Sequence, residues 1–409
     1  MRRLWFSVSL IAVALGATSS VAFGAHSAAA QSEVLGFNNG ALYALFFPSS
    51  WNGRLAVYAH GFVDPDAELA LPDVAPVEVA PWVVGLREAL LSSGYAVAYS
   101  SYSENGWAVG DGALRTRELS SLFTNHFGAP FRTYLIGRSL GGLTTLMLAE
   151  NYASDYGGAL TLCAPVGGGL RQTDYVGHAR VLFDFFFPGV IPGDAVNVPP
   201  LDYANDSPLV QTIVGAILAN PQAAMSLAAV DQVELPYTTF SELINSIVRV
   251  LGYNVRGTND LLARTGGASP YDNTGVTYKG LGTFDATLNA GLDRYAGQQA
   301  GRDYLQRFYQ SEGRLRRPLL TLHTTLDPDV PFAHQQALAD VVAQARNSKW
   351  LVQQHYVRYG HCTFSTAETV RAFTQLVQWA ETGVKPPSGA LTEGSGGTTE
   401  PVNPKKRPR

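Results

Sequence analysis

TYLIGRSLGGLTTLMLAE, residues Thr133–Glu150, changes character halfway along. Tyr134, Leu135 and Ile136 form an apolar run of strand type. Leu143, Leu146 and Leu148 recur in a stretch free of helix breakers. Between the two lies Ser139, with Gly137 and Gly141 on either side in the pattern G-x-S-x-G. A tight strand-to-helix turn of this kind raises a hydroxyl above the sheet, and glycines are needed where neighbouring backbone leaves no room for a Cβ. The helix that follows directs its N-terminal N–H groups at charge developing beside the serine. The pattern alone also arises by chance in a glycine-rich chain, so its setting and its partners carry the reading.

The surrounding chain supplies that setting. Ala41–Phe47, Arg54–His60, Tyr95–Ser100, Ala159–Cys163, Pro318–His323 and Trp350–Val357 read as short apolar strands. Pro81–Ser92, Leu114–Phe127 and Thr366–Glu381 read as helices between them. Such alternation predicts an α/β protein with a mostly parallel sheet and helices on both faces. From Leu170 to Leu315 the alternation lapses into helical and loop-rich sequence with aromatic clusters such as Phe183–Phe187, which predicts a large, mainly helical cap insertion. The expected organisation is a leader at 1–30, core halves at 31–169 and 316–385, the insertion at 170–315, and a solvated tail at 386–409.

The leader has Arg2 and Arg3, an apolar run from Leu4 to Ala17, and small residues ending Ala28-Ala29-Ala30, the form of a cleaved secretory signal. The run is short for a stable membrane span and is interrupted by Ser7, Ser9 and Gly16. Extracellular or periplasmic location is therefore expected. Loss of the leader removes two of 29 basic residues and none of the 33 acidic ones, moving the net charge from −4 to −6. With 46 % apolar and 15 % charged residues the body is globular, and it offers no basic surface for nucleic acid. Basic residues cluster only at Lys405–Arg409, beyond a Gly/Ser/Thr/Pro-rich stretch. The two cysteines, Cys163 and Cys362, cannot build a zinc site unaided, and neither H-E-x-x-H nor C-x-x-C is present. No metal and no cofactor are expected.

A serine hydroxyl becomes a useful nucleophile only with a base in hydrogen-bond reach and an acid to orient the base. In a parallel sheet these groups belong on loops after strand C-termini. Asp327 follows the Pro318–His323 strand region, in LDPDVP. His361 follows the last strand, in YGHC. Asp329 competes for the acid position. Of the eight histidines, His323 reads as structural, His334 as lying on a surface helix, His355 as within a strand and His60 as a loop brace. Tyr102, Asn105 and Trp107 either line an entrance or pack against the insertion. The Phe183–Phe187 cluster reads as insertion core.

The order Ser139, Asp327, His361, together with AHGF at Ala59–Phe62 and GRSLGG at the elbow, resembles the α/β-hydrolase superfamily over most of residues 40–385. The resemblance implies Ser139 as nucleophile, His361 as base, Asp327 as acid, and the N–H groups of Leu140 and Phe62 as an oxyanion hole. A narrower likeness, to tannase and feruloyl esterase-like enzymes, lies in WNGRLAVYAHGF and the His361-Cys362 pair. Those enzymes bond the cysteine after the histidine to one directly before the nucleophile, where this chain has Arg138. In this fold the histidine loop reaches back over the sheet, which implies a Cys163–Cys362 disulfide; two buried free thiols are the alternative. The activity implied is hydrolysis of a small-molecule or polymer-borne ester. A serine exopeptidase, with Asp194, Asp202 or Glu234 gripping a substrate amine, and a non-catalytic binding protein on the same scaffold stand as alternatives. Oligomeric state is left open.

Overall fold

The computed structural model of the protein describes residues 30–392. The expected leader up to residue 29, and the expected tail from residue 393, lie outside the described residues. Among the described residues nine strands form one sheet: β1 (Ala30–Asn38), β2 (Ala41–Pro48), β3 (Arg54–Ala59), β4 (Ala96–Ser100), β5 (Arg132–Arg138), β6 (Gly158–Leu162), β7 (Leu319–Leu326), β8 (Leu351–Tyr359) and β9 (Gly389–Leu391). Their order is β1-β2-β4-β3-β5-β6-β7-β8-β9. The pairs β1–β2 and β2–β4 are antiparallel and every later pair is parallel. This topology is the α/β-hydrolase fold.

Two strands go beyond the sequence reading. The first, β1, turns into β2 at Asn39-Gly40, where both residues have positive φ (48° and 84°), as a two-residue type I′ hairpin requires. The Asn-Gly pair is a sequence signal for that hairpin. At the other end, the chain after Pro386 was expected to be solvated tail throughout. Instead Gly389–Leu391 adds a short parallel strand to β8, with Gln354 opposite Gly389. Main-chain pairing with an open sheet edge orders a segment whose composition alone does not.

Helices α1 (Ala80–Ser92) and α11 (Thr366–Thr382) cover one sheet face. There Val83, Leu86, Phe373 and Leu376 pack on Tyr58, Ile136 and Leu160. Helices α2 (Val109–Phe127), α3 (Leu140–Asn151) and α10 (Ala333–Gln344) cover the other, with Leu119, Phe123, Leu146 and Leu338 packed on Leu55, Val57 and Leu135. Central strands such as β4 are buried on both faces, as expected for a parallel sheet between helical layers.

Between β6 and β7 the chain runs through α4 (Gly169–Phe186), α5 (Pro208–Ala219), α6 (Pro221–Ala228), α7 (Phe240–Arg264), α8 (Asp285–Gly291) and α9 (Gln299–Tyr309). This stretch has a hydrophobic cluster of its own, centred on Leu182, Phe183, Ile213, Ile217, Leu243 and Ile247. Phe183 and Phe187 belong to that cluster, stacked at 4.9 Å between ring centroids. Helix α7 starts with a capping box in which Thr239 and Glu242 satisfy each other's backbone N–H groups.

Candidate active site

Ser139 stands between β5 and α3 with φ 55° and ψ −128°, a conformation that costs a non-glycine residue about 1–3 kcal/mol and is held by its surroundings. Its N–H donates to Leu162 O on β6 at 2.8 Å, and its carbonyl accepts Gly142 N–H at 2.9 Å. The flanking glycines are required by contact. A Cβ on Gly137 would lie 2.2 Å from Gly141 O, and one on Gly141 would lie 2.2 Å from both Ala59 O and His60 O. The His60-Gly61-Phe62 turn therefore presses directly on the elbow. A Cβ on Gly61 would approach Ser139 Cβ to 2.9 Å.

His361 reaches the serine from the loop between β8 and α11. Its Nε2 is 2.8 Å from Ser139 Oγ, and its Nδ1 is 2.8 Å from Asp327 Oδ2. The carboxylate accepts from Nδ1–H, which leaves Nε2 as the acceptor for the serine hydroxyl. In that arrangement the imidazole can take the serine's proton while the carboxylate fixes its tautomer. Asp327 Oδ1 accepts the N–H groups of Asp329 and Val330 at 2.9 and 3.0 Å. All three residues follow strand C-termini, of β5, β7 and β8, and Ser139 is only 8 % exposed.

Asp329, the competing acid, bonds α7 and not His361. Its carboxylate takes Arg249 Nε at 2.6 Å, a second Arg249 bond from Nη2, and Tyr253 O–H at 3.0 Å, all from α7. Arg249 and Tyr253, with Gln172 and Tyr175 of α4, are the residues around the acid loop that sequence reading missed. They lie far from it in sequence and carry no local signal.

Leu140 N–H, in the first turn of α3, and Phe62 N–H, in the turn pressed on Ser139, make no hydrogen bond to another group among the described residues. The Phe62 ring packs edge-on against Trp107 and Tyr253 at 6.3 and 5.7 Å. Tyr102 O–H holds His60 O at 3.0 Å, Asn105 Nδ2 donates to Ala67 O at 2.7 Å, and Trp107 N–H donates to Asp260 of α7 at 2.7 Å. These three residues brace the turn and its junction with the insertion.

The remaining histidines have structural places. His60 donates from Nδ1 to Gly61 O at 2.8 Å and stacks on Tyr102, and burial lowers its proton affinity. His323 accepts Gln335 Nε2–H at Nδ1 and so donates from Nε2 to Val330 O at 3.0 Å, tying β7 to the acid loop. His334, expected on a surface helix, is instead fully buried: α10 packs it under Gly167, whose N–H it accepts at 3.0 Å, and burial keeps it neutral.

Cys163, just past β6, and Cys362, next to His361, are disulfide-bonded with Cα atoms 5.4 Å apart. Leu162 is the register partner of Arg138. The bridge to the histidine loop thus starts one strand over from Arg138, the residue before Ser139. Cys163, His361 and Cys362 have ligand atoms within 4.8 Å of one another, but both sulfurs are committed to the disulfide and do not form a thiolate metal set.

A cleft of about 690 Å³ opens between α4, the loop before α7 and the acid loop, lined by Asp174, Tyr175, His178, Glu234, Asp327 and Phe332. Asp202 lies on a different cleft beside Asp64, and Asp194 caps the turn at Val196 and Asn197. The three acids weighed for an amine subsite do not converge. No helix among the described residues is long and apolar enough to cross a membrane.

No protein-family model matches this chain, and no curated protein matches it. Solved structures similar to it include Candida antarctica lipase A (15 % identity, 85 % of this chain and 74 % of that one, TM-score 0.45). Feruloyl esterase B from Aspergillus oryzae follows at 13 % identity, with 87 % and 80 % covered and a TM-score of 0.44. The rice cell wall degrading esterase LipA from Xanthomonas oryzae has 15 % identity, 83 % and 85 % covered, and a TM-score of 0.41. By its own strand order and its strand–turn–helix elbow at Ser139, the chain has the α/β-hydrolase fold.

Proposed function

We propose that this protein is a secreted serine hydrolase that cleaves carboxylic esters. The observation that carries the reading is the continuous relay from Ser139 Oγ through His361 to Asp327, with both contacts at 2.8 Å, at a strained elbow. Ser139 attacks the ester carbonyl while His361 Nε2 takes its proton, and Asp327 stabilises the imidazolium. The developing oxyanion is held by Leu140 and Phe62 N–H, each donor contributing about 3–4 kcal/mol. His361 returns the proton to the departing alcohol, and water then releases the acid by the same route in reverse. The reaction needs no metal or organic cofactor, because the three side chains and two amides supply every proton transfer and charge contact.

The helical insertion acts as a cap. Tyr253 of α7 lies on Phe62, whose N–H is assigned to the oxyanion, so the insertion shapes access to the buried Ser139. A disulfide beside the base suits an oxidising compartment, in keeping with the expected leader.

A fluorophosphonate probe should label the purified protein on the peptide containing Ser139, and Ser139→Ala should abolish labelling. Short and long p-nitrophenyl esters, hydroxycinnamoyl esters and amino-acid anilides then sort the substrate class. Faster turnover of anilides than of every ester would replace the esterase reading with the exopeptidase one. Absence of labelling and of turnover on the whole panel would favour a binding protein.

A further inference from the structure

The loop that carries Asp327 is held largely by the insertion. Tyr175 O–H donates to Pro328 O at 2.7 Å and Gln172 Nε2 donates to Asp329 O at 2.7 Å, both from α4. From α7, Tyr253 and the two-pronged Arg249 bond the Asp329 carboxylate. That carboxylate is 1 % exposed, whereas the Arg249 side chain is 42 % exposed. A buried negative charge thus sits beside the relay, neutralised by a cation from an element that lies over the site.

We propose that Arg249 is a positioning residue for the Ser139–His361–Asp327 relay: docked on Asp329, it cancels the pull of a second carboxylate on His361, so that the proton affinity of the base depends on α7 being closed. This rests on the serine-hydrolase reading. Burial works to raise the Asp329 carboxyl, but His361, Arg249 and Tyr253 outweigh it and hold it below the ordinary carboxylate range. Asp329 donates its N–H to Asp327 Oδ1 while Asp327 Oδ2 binds His361, so an uncompensated Asp329 carboxylate adds a second negative charge to the loop that holds the base and favours the imidazolium.

The other groups facing the relay do not mask this effect. His323 of β7, with Nε2 3.6 Å from Asp327 Oδ2, and His60 are kept neutral by burial. Burial raises the phenols of Tyr175 (α4), Tyr253 (α7) and Tyr359 (β8), so they stay protonated through neutral pH. Arg358 of β8 is paired with Glu368, Arg256 of α7 lies 3.9 Å from Asp64, and Cys362 is bonded to Cys163. Asp174 of α4, raised by burial to about 6, lines the same cleft as Asp327 and is present in every variant, so differences between variants read Asp329 and Arg249.

The test is the pH dependence of kcat/KM for p-nitrophenyl acetate between pH 5 and 9, on the full chain and on four variants. Arg249→Gln should move the acid limb up by about 0.5–1 pH unit, and Asp329→Asn should move it down by a similar amount. The double variant should return it to the wild-type position, and Arg249→Lys should leave it there. Should Arg249→Gln not fold, Asp329→Asn leaves no unpaired buried carboxylate and carries the test. An unmoved limb in the folded single variants, even with kcat reduced at every pH, would overturn the proposal. Ser139→Ala runs alongside as a separate control: retained hydrolysis there would sink the serine-hydrolase reading itself.

Discussion

Asp327 binds His361 Nδ1 with one carboxylate oxygen, at 2.8 Å, and the N–H groups of its own loop with the other. The carboxylate therefore cannot rotate without giving up backbone partners, and the imidazole is fixed with it. Asp327→Asn replaces one acceptor by an amide that favours the wrong histidine tautomer, and kcat should fall roughly ten-thousandfold. Asp329→Asn should lower plateau kcat far less, because its carboxylate faces α7. Steady-state kinetics at the pH optimum separates the two; the reverse order would reassign the acid.

The glycines of the elbow give a stability prediction with an internal control. Gly141→Ala puts a Cβ 2.2 Å from two main-chain carbonyl oxygens that cannot retreat without moving β3. A loss of several kcal/mol, about 3–5, is expected. Gly215 is exposed on α5 with nothing near its missing Cβ, so Gly215→Ala should stabilise by about 0.5–1 kcal/mol through helix propensity. Urea denaturation of both variants reads the difference.

The Cys163–Cys362 bond spans 199 residues, for which chain entropy allows about 5 kcal/mol of stabilisation less any native strain. Reduction, or the Cys163→Ala/Cys362→Ala pair, should lower Tm and free the loop that carries His361. Because that loop positions the proposed base, kcat should fall more than KM rises. Calorimetry and kinetics with and without reductant check both statements, and unchanged activity after complete reduction would show that the loop holds His361 unaided.

Burial pushes His178 down to about 4, while Tyr278 and Tyr271 lie 2.8 and 3.1 Å from its Nδ1. The unfolded chain binds this proton more tightly, with a pKa near 6.5. Stability from neutral His178 is thus complete above that value and is lost as pH falls toward 4, by about 3 kcal/mol at most. Asp174 and Asp184, raised by burial to about 6, act in the opposite sense, costing stability above pH 6 and relieving it below. His178→Gln should flatten the loss of stability between pH 6.5 and 4, measured by urea denaturation at each pH.

The sheet and the relay were legible because they depend on short-range signals. Ser139 lies within a strand–turn–helix pattern, and Asp327 and His361 each follow an apolar run. The hairpin of β1 was equally local in its Asn39-Gly40 turn, but its strand follows directly on the small residues that read as a leader cleavage site. What was not legible depends on distant pairs. Arg249 is ordinary helix-face arginine until α7 is laid against Asp329. His334 lies four and eight residues before Leu338 and Val342, on the face of α10 that packs on the sheet, and only its polar side chain suggests a surface place. Asp327 and Asp329, two residues apart, were separated by what packs on each, which no spacing reveals.

The independent hydrophobic cluster of the insertion bears on how the sheet assembles. Leu162 at the end of β6 pairs with Leu322 of β7, and the whole insertion intervenes in sequence. Joining those strands from an extended chain would mean closing a very long loop. Because α4 to α7 bury Leu182, Ile213 and Leu243 against one another, that segment is able to collapse first and bring its two ends close. The effective loop then shrinks to the short connections on either side, and loop-closure entropy is charged to local helix packing rather than to strand pairing. Folding of the insertion ahead of β7 would thereby lower the entropic cost of bringing His361 to Ser139.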